Sequence, residues 1–389
     1  MTTWLLDVFA GLLAAMLLVF TLRRAAFMVA VWLPSKPAGR RLDPTSSWPS
    51  VTLLVPARNE AAGITATLAA LTALDYPSDR LFTVLIDDGS SDATRTVLEQ
   101  WAERRERTTT LGLPISRGKI AALNAGIAAA PPAELIAVCD ADMRPRPDWL
   151  QRLADAFADA RVGGAAALLW PIGATNTPVS HYAAVESWVH QLVTSAGKDR
   201  LDLNPATNGA SAYRRTALET LDWFGVGFSE DDVRATVSLT HAGWRTRLVQ
   251  AAVTEHPVVH RFSDYWRQHI RWAGNLWTAA TAPRVRGTSR VAFWRELETW
   301  MLSTGYLDRV ILIAVLGFVA RGTLPFWIPA LYAATIVGHV STALVKAGHG
   351  RQFVAFLFWT TVFYAVDVVA SFAAIVGHIT RGPHSPPRG

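Results

Sequence analysis

Two aspartates one residue apart, Asp140 and Asp142, follow the apolar run 135–139. A buried strand that ends in Asp-x-Asp extends carboxylates from its carboxyl edge, where open α/β sheets bind ligands. Carboxylate oxygens suit Mg2+ or Mn2+, ions that sit on one or two carboxylates together with a substrate diphosphate. A second acidic strand end lies upstream, where the β-branched run 82–86 leads into Asp87-Asp88-Gly89-Ser90-Ser91-Asp92. Between the two, Gly118 precedes Lys119 at the start of a helical stretch that includes Asn124. A cation at a helix amino terminus favours phosphate. Gly-Lys alone has no such specificity, because a lysine at a helix start is usually just solvated.

The elements that position these groups follow from hydrophobic patterning. A third apolar run, 51–56, ends at Pro56 and is followed by Ala57-Arg58-Asn59-Glu60 and a helical pattern through Leu74. Strands alternating with helices of this length predict βαβ units, an α/β class and a mostly parallel, Rossmann-like sheet. Both acidic clusters then fall on one edge of that sheet. Further along, three acids stand together at Glu230-Asp231-Asp232, and Gln268, Arg271 and Trp272 are spaced to share one helix face. Arginine grips a diphosphate bidentately, and tryptophan offers an apolar wall for a sugar or an acceptor.

Taken in order, Asp87-Asp88-Gly-Ser-Ser-Asp92, Gly118-Lys119 with Leu123-Asn124, Asp140-Ala-Asp142, Asn208-Gly-Ala-Ser-Ala-Tyr-Arg214-Arg215, Glu230-Asp231-Asp232 and Gln268-His-Ile-Arg271-Trp272 resemble the motifs of family-two inverting glycosyltransferases with a GT-A fold. The resemblance covers roughly residues 50–275. In that family the Gln-x-x-Arg-Trp motif marks membrane-integrated members, and the layout is nearest to ceramide glucosyltransferase-like lipid glycosyltransferases. The resemblance implies a nucleotide diphosphate donor, a UDP-sugar such as UDP-glucose, held by Pro56, Arg58, Glu60, Asp87, Asp88, Lys119, Asn124, Asp140, Gln268, Arg271 and Trp272. It implies Mg2+ or Mn2+ on Asp142 with Asp140 beside it, and a general base in the acidic run. Counting back from Ala242-Gly243-Trp244 selects Asp232 as that base, whereas the literal Glu-Asp reading selects Asp231. We read Asp232 as the base and keep Asp231 as the alternative. Helix capping by acids would also account for this run.

Composition points to a membrane. The chain of 389 residues carries 16 Trp, 51% hydrophobic residues and a net charge of +6, with a mean hydropathy of +0.21. That is too apolar and too rich in tryptophan for an ordinary cytosolic enzyme, and aromatics with cations collect at membrane interfaces. The basic balance suits membrane phospholipid rather than nucleic acid, for which no recognition module appears. An amino-terminal anchor (1–31) is expected, with an apolar span at about 4–22 followed by Arg23 and Arg24. A GT-A catalytic domain (45–280) should follow, with an interfacial helix at 261–280 in which aromatics interleave with arginines. A carboxyl-terminal region (290–380) should supply about three spans, near 299–320, 324–345 and 353–378. The first of these contains Asp308-Arg309, an intramembrane pair or a sign that the span starts later. Positive-inside logic puts Arg23, Arg24, Lys346, Arg351 and the catalytic domain in the cytosol at the plasma membrane, with Arg321 on the other side.

The reading is therefore transfer of a sugar to a lipid hydroxyl, on an acceptor of the ceramide, diacylglycerol, hopanoid or carotenoid class. A processive polysaccharide synthase of the β-glucan or poly-N-acetylglucosamine type is the alternative, although so few spans make a poor export channel. A catalytically silent scaffold would not need its acids. The lone Cys139 reads as a buried hydrophobe. His256, His260 and His269 read as surface or interface residues, since no acid accompanies them at ligand spacing.

Overall fold

The computed structural model describes residues 2–34, 48–174, 176–224, 232–280, 290–303 and 307–381. Among them eight strands occur in chain order as Val51–Ala57 (β1), Leu81–Asp88 (β2), Thr108–Leu113 (β3), Leu135–Cys139 (β4), Arg144–Pro145 (β5), Val162–Ile172 (β6), Ala210–Arg214 (β7) and Arg245–Pro257 (β8). They form one sheet in the order β3-β2-β1-β4-β7-β6-β8-β5. β1 and β4 are apolar without alternation because helices cover both faces of the sheet. Ile64, Leu68 and Leu71 from one helix, with Trp149, Leu150 and Leu153 from another, pack on one face. Leu123 and Ile127 pack on the other face, with Ala235 and Leu239.

β1 pairs in parallel with β2 and with β4, and β2 in parallel with β3. In these registers Ala57 lies opposite Asp87 and Leu54 opposite Val138, so the acids after β2 and β4 emerge at the same edge as Arg58 and Glu60. The mostly parallel expectation holds for this half and for β6 with β8, but β7 runs antiparallel to both β4 and β6. β5 is likewise antiparallel to β8. The reason lies in the connections. β6 ends at the carboxyl edge, no strand intervenes among the described residues up to β7, and β7 therefore starts at that edge and runs back. This delivers Asn208-Gly209 to the edge that carries Asp140. β8, parallel to β6, ends there too and feeds the helix Phe262–Ala280.

Outside the sheet lie the helices Thr2–Ala30, Arg290–Ser303, Leu307–Ala320, Trp327–Lys346 and Phe353–Arg381. Among the described residues two stretches are long and apolar enough to cross a bilayer, Trp4–Ala30 with hydropathy 2.4 and Trp327–Lys346 with hydropathy 1.5. One sequence expectation needs correction. The first apolar span does not stop before Arg23 and Arg24. Both lie inside a continuous helix, where Arg23 pairs with Glu298 at 2.5 Å and Arg24 pairs with the buried Asp308. The expected span 299–320 includes residues outside the described ones, and its described parts belong to Arg290–Ser303 and Leu307–Ala320. Asp308 and Arg309 do not neutralise each other. Neighbours on a helix point in different directions, and Arg309 reaches Asp367 at 3.3 Å instead.

Candidate active site

Four chain segments converge on the carboxyl edge of the parallel strands. The loops after β1 and β2 are laced together: Asn59 N–H donates to Ser90 Oγ at 3.0 Å, Ser91 N–H to Asn59 Oδ1 at 2.9 Å, and Glu60 N–H to Thr94 Oγ1 at 2.8 Å. Asp92 caps this knot, accepting from the N–H of Ala61 at 3.2 Å and of Thr94 at 3.0 Å. Gly89 makes the crossing possible. Its φ is +66°, and a Cβ there would lie 2.5 Å from the Ser116 nitrogen.

The two acids that end β2 do different work. Asp88 accepts from Ser116 Oγ at 2.8 Å and from the N–H groups of Arg117 at 2.8 Å and Gly118 at 3.0 Å. Both its oxygens thus hold the loop that launches the helix Lys119–Ala129. Asp87 accepts one local bond, from Ser90 N–H at 3.2 Å, which leaves it the freer of the two to meet a ligand. Pro56, half-buried, ends the strand beside them, and Arg58 is exposed.

The Asp-x-Asp segment lies opposite. Lys119 Nζ bridges both oxygens of Asp140, at 2.6 and 2.9 Å, while Asp140 N–H donates to Gly209 O at 2.8 Å. Gly209 has to be glycine, since a Cβ would meet Asp140 Oδ2 at 2.2 Å. Thr67 Oγ1 donates to Ala141 O at 2.6 Å and fixes the backbone between the two acids. Asp142 is open to solvent, yet protein surrounds it closely enough for desolvation to act. That desolvation and the neighbouring Asp140 push its carboxyl up, against the pull of Lys119 and Arg271. Glu60 is pushed up by desolvation, then by Asp142, Asp92 and Asp140. Carboxylates that repel one another beside a lysine are short of positive charge. Glu60, Asp140 and Asp142 are hard oxygen donors whose charges act on one another, and that chemistry suits a Mg2+ or Mn2+ ion.

Arg271 and Trp272 are exposed and Gln268 half-buried on the helix Phe262–Ala280. The influence of Arg271 on Asp142 places the arginine toward the carboxylates. Asn124 departs from its expected part. Its Nδ2 donates to Phe224 O at 2.9 Å and its Oδ1 accepts from Phe224 N–H at 3.2 Å, so its amide clamps the chain just before the acidic run. Asp231 lies outside the described residues. Asp232 opens the helix Asp232–His241. Sequence reasoning missed the Asn59-Ser90-Asp92 knot and Gly209, whose roles depend on contacts between separate loops. It also missed the acids around His269. That residue is buried, with Glu186 Oε2 2.9 Å and Asp367 Oδ1 3.7 Å from its Nε2. A lone Asp367 in an apolar run was the available signal.

A model described as Glycosyl transferase family 2 matches residues 52–222. Over 334 residues the chain is 30% identical to an N-acetylglucosaminyltransferase of Mesorhizobium japonicum, an alignment that covers 81% of this chain and 77% of that protein. The chain belongs to glycosyltransferase family 2. This family-2 enzyme is also 29% identical over 232 residues to the probable glycosyltransferase YdaM of Bacillus subtilis, which covers 58% of this chain and 54% of that protein. It is 28% identical over 238 residues to the beta-monoglucosyldiacylglycerol synthase of a Synechocystis strain, covering 59% of this chain and 48% of that protein. The fold is that of a mannosyltransferase from Pyrobaculum calidifontis solved with GDP-mannose and Mn2+. The two share 24% identity with a TM-score of 0.64, over 96% of this chain and 99% of that one.

Proposed function

We propose that this glycosyltransferase moves a sugar, with inversion, from a nucleoside diphosphate donor of the UDP type to the hydroxyl of a membrane lipid. The observation that carries the reading is the meeting of Asp87, Glu60, Asp140, Asp142, Lys119 and Arg271 at one sheet edge, beside a helix that packs against the apolar helix Phe353–Arg381. In this reading Asp87 holds the nucleoside, and Pro56 and Arg58 line its approach. Asp142, with Asp140 and Glu60, holds Mg2+ or Mn2+, which when bound offsets charge on the departing diphosphate. Lys119 and Arg271 add positive charge at the same place, with Gln268 beside Arg271 and Trp272 walling the sugar or the acceptor.

Asp232 takes the acceptor hydroxyl proton as that oxygen bonds to the anomeric carbon, and the bond to diphosphate breaks on the opposite face. Single displacement of this kind needs no carboxylate nucleophile. Residues 1–31 and 290–380 anchor a cytosolic catalytic domain of residues 45–280 in the plasma membrane, in contact with phospholipid. A glycolipid synthase among the similar proteins supports a lipid acceptor.

The test is to incubate detergent-solubilised protein with radiolabelled UDP-sugars and total lipid extract. Label should enter the organic phase, EDTA should abolish the transfer and Mn2+ or Mg2+ should restore it. Asp232→Asn should lower turnover by about 10²–10⁴-fold, with Asp231→Asn costing less. Label in an insoluble polymer would favour the processive alternative, and full activity in excess EDTA would remove the metal.

A further inference from the structure

Behind the face that carries Gln268, Arg271 and Trp272, the same helix buries His269 among groups from three other helices. Glu186 comes from Pro178–Trp188, Asp367 from Phe353–Arg381 and Arg309 from Leu307–Ala320. His269 Nδ1 lies 2.9 Å from the Tyr265 carbonyl, and Nε2 lies 2.9 Å from Glu186 Oε2 and 3.7 Å from Asp367 Oδ1. With Glu186 ionised, a carbonyl and a carboxylate both accept, so both ring nitrogens donate, and an imidazole that donates twice is a cation. Asp367 is held in turn by the hydroxyls of Tyr265 and Tyr182, the latter at 2.5 Å, and by Arg309 at 3.3 Å. Two carboxylates thus face Arg309 and one further positive charge, which a protonated His269 supplies.

We propose that His269 is a positioning residue: its imidazolium, held between Glu186 and Asp367, fixes the rotation of the helix Phe262–Ala280 so that Arg271 stays turned toward the carboxylate cluster. The Trp272 ring lies 5.1 Å from that of His269, and the Tyr265 ring stacks on His269 at 3.9 Å, so the clamp packs directly against the residue that follows Arg271. Burial opposes charge on His269, but Glu186 and then Asp367 outweigh it and raise its pKa. Burial and Asp367 also push Glu186 up, against the pull of His269 and Arg309. One proton serves both groups across the 2.9 Å bond. The second carboxylate, with Asp367 Oδ1 3.7 Å from Nε2, favours the cationic ring and so places the shared proton on Nε2. The same three side chains could surround a metal ion, but a metal needs the Nε2 lone pair and would add charge beside Arg309.

The inference rests on Arg271 serving the donor diphosphate, and its test separates the two ideas. Binding of UDP with Mg2+ is measured by calorimetry in detergent from pH 6 to 9, with GDP in its place should UDP not bind. Wild-type affinity should hold through neutral pH and fall as pH rises past the raised pKa of His269. Glu186→Gln should move that fall to lower pH by about one to three units, and Glu186→Asp, which keeps the charge but retracts it, by less. His269→Gln should weaken binding by about tenfold and flatten the profile. Superimposable profiles for wild type and both Glu186 variants would overturn the clamp, as would a stoichiometric metal lost on His269→Gln. Arg271→Ala binding UDP as tightly as wild type would instead overturn the donor reading. The clamp would then still be judged by melting temperature, which should fall above neutral pH in wild type more steeply than in His269→Gln.

Discussion

At Gly209 a missing side chain decides whether an acid can stand where it does. A Cβ at this position would meet not only Asp140 Oδ2 but also Cγ at 2.7 Å, so rotating the carboxylate away is not enough. Gly209→Ala should therefore push Asp140 off Lys119 while leaving β4 and β7 paired, with local strain of about 1–3 kcal/mol. The expected result is Mn2+ affinity in the presence of UDP weakened by tenfold or so, with an unchanged far-UV circular dichroism spectrum. Mn2+ binding equal to wild type would mean that Asp140 is no part of the metal site. Asp140 and Asp142 are legible in sequence because two acids at the end of an apolar run advertise themselves. Gly209 is not, because its requirement arises only when β7 returns to the edge where β4 ends. Asn124 misleads in the opposite way. An amide on the first helix after a phosphate-like loop reads as a ligand group, but here it is spent on Phe224.

Among the elements, the helix Arg290–Ser303 is held by the Arg295–Asp202 pair at 2.7 Å and by a buried carboxylate. Glu298, 5% exposed, takes Arg23 at 2.5 Å from the amino-terminal helix and Lys198 at 2.7 Å from Ala196–Leu201. Lys198 is itself 2% exposed, so neither water nor another described carboxylate within salt-bridge distance stands ready to replace Glu298. Removing one partner of a buried ion cluster leaves uncompensated charge and costs about 3–5 kcal/mol. Glu298→Ala should accordingly lower the melting temperature in detergent by on the order of 10 °C. A change of under about 2 °C would mean that water solvates the two cations after all. The parallel strands were readable as continuous apolar runs, since both their faces are covered. The direction of β7 was not, because five residues carry no periodicity that tells one direction from the other. Hydropathy sums over 299–320 see one apolar stretch, while the partners of Glu298 and Asp308 lie on helices remote in sequence.

On the scale of the whole molecule, ring and backbone contacts level the helices against one another. Phe9, early in the amino-terminal helix, meets Phe318 at 6.3 Å, so Arg321 lies near the level where that helix begins. At the other end Lys346 sits 4.3 Å over the Trp32 ring, and Arg200 donates to Leu33 O, so the helix Ala196–Leu201 abuts this end. Trp32, Lys346 and the sheet therefore share one side and Arg321 the opposite one. Arg23 and Arg24 are spent on Glu298 and Asp308, so in the folded protein Lys346 and Arg351 carry the positive flank. If Trp4–Ala30 and Trp327–Lys346 cross the membrane, the positive-inside bias predicts a cytosolic sheet and an external Arg321. Cysteines introduced singly in a Cys139→Ala background test this with a membrane-impermeant thiol reagent on intact cells. Arg321→Cys should label at once, whereas Arg351→Cys and Asp92→Cys should label only after permeabilisation. Asp92 stands on the loop that ties Glu60 to Thr94, at the heart of the candidate site. Labelling of Asp92→Cys from outside would put the donor site where cytosolic nucleotide sugars cannot reach it, and would overturn the orientation and the proposed donor together.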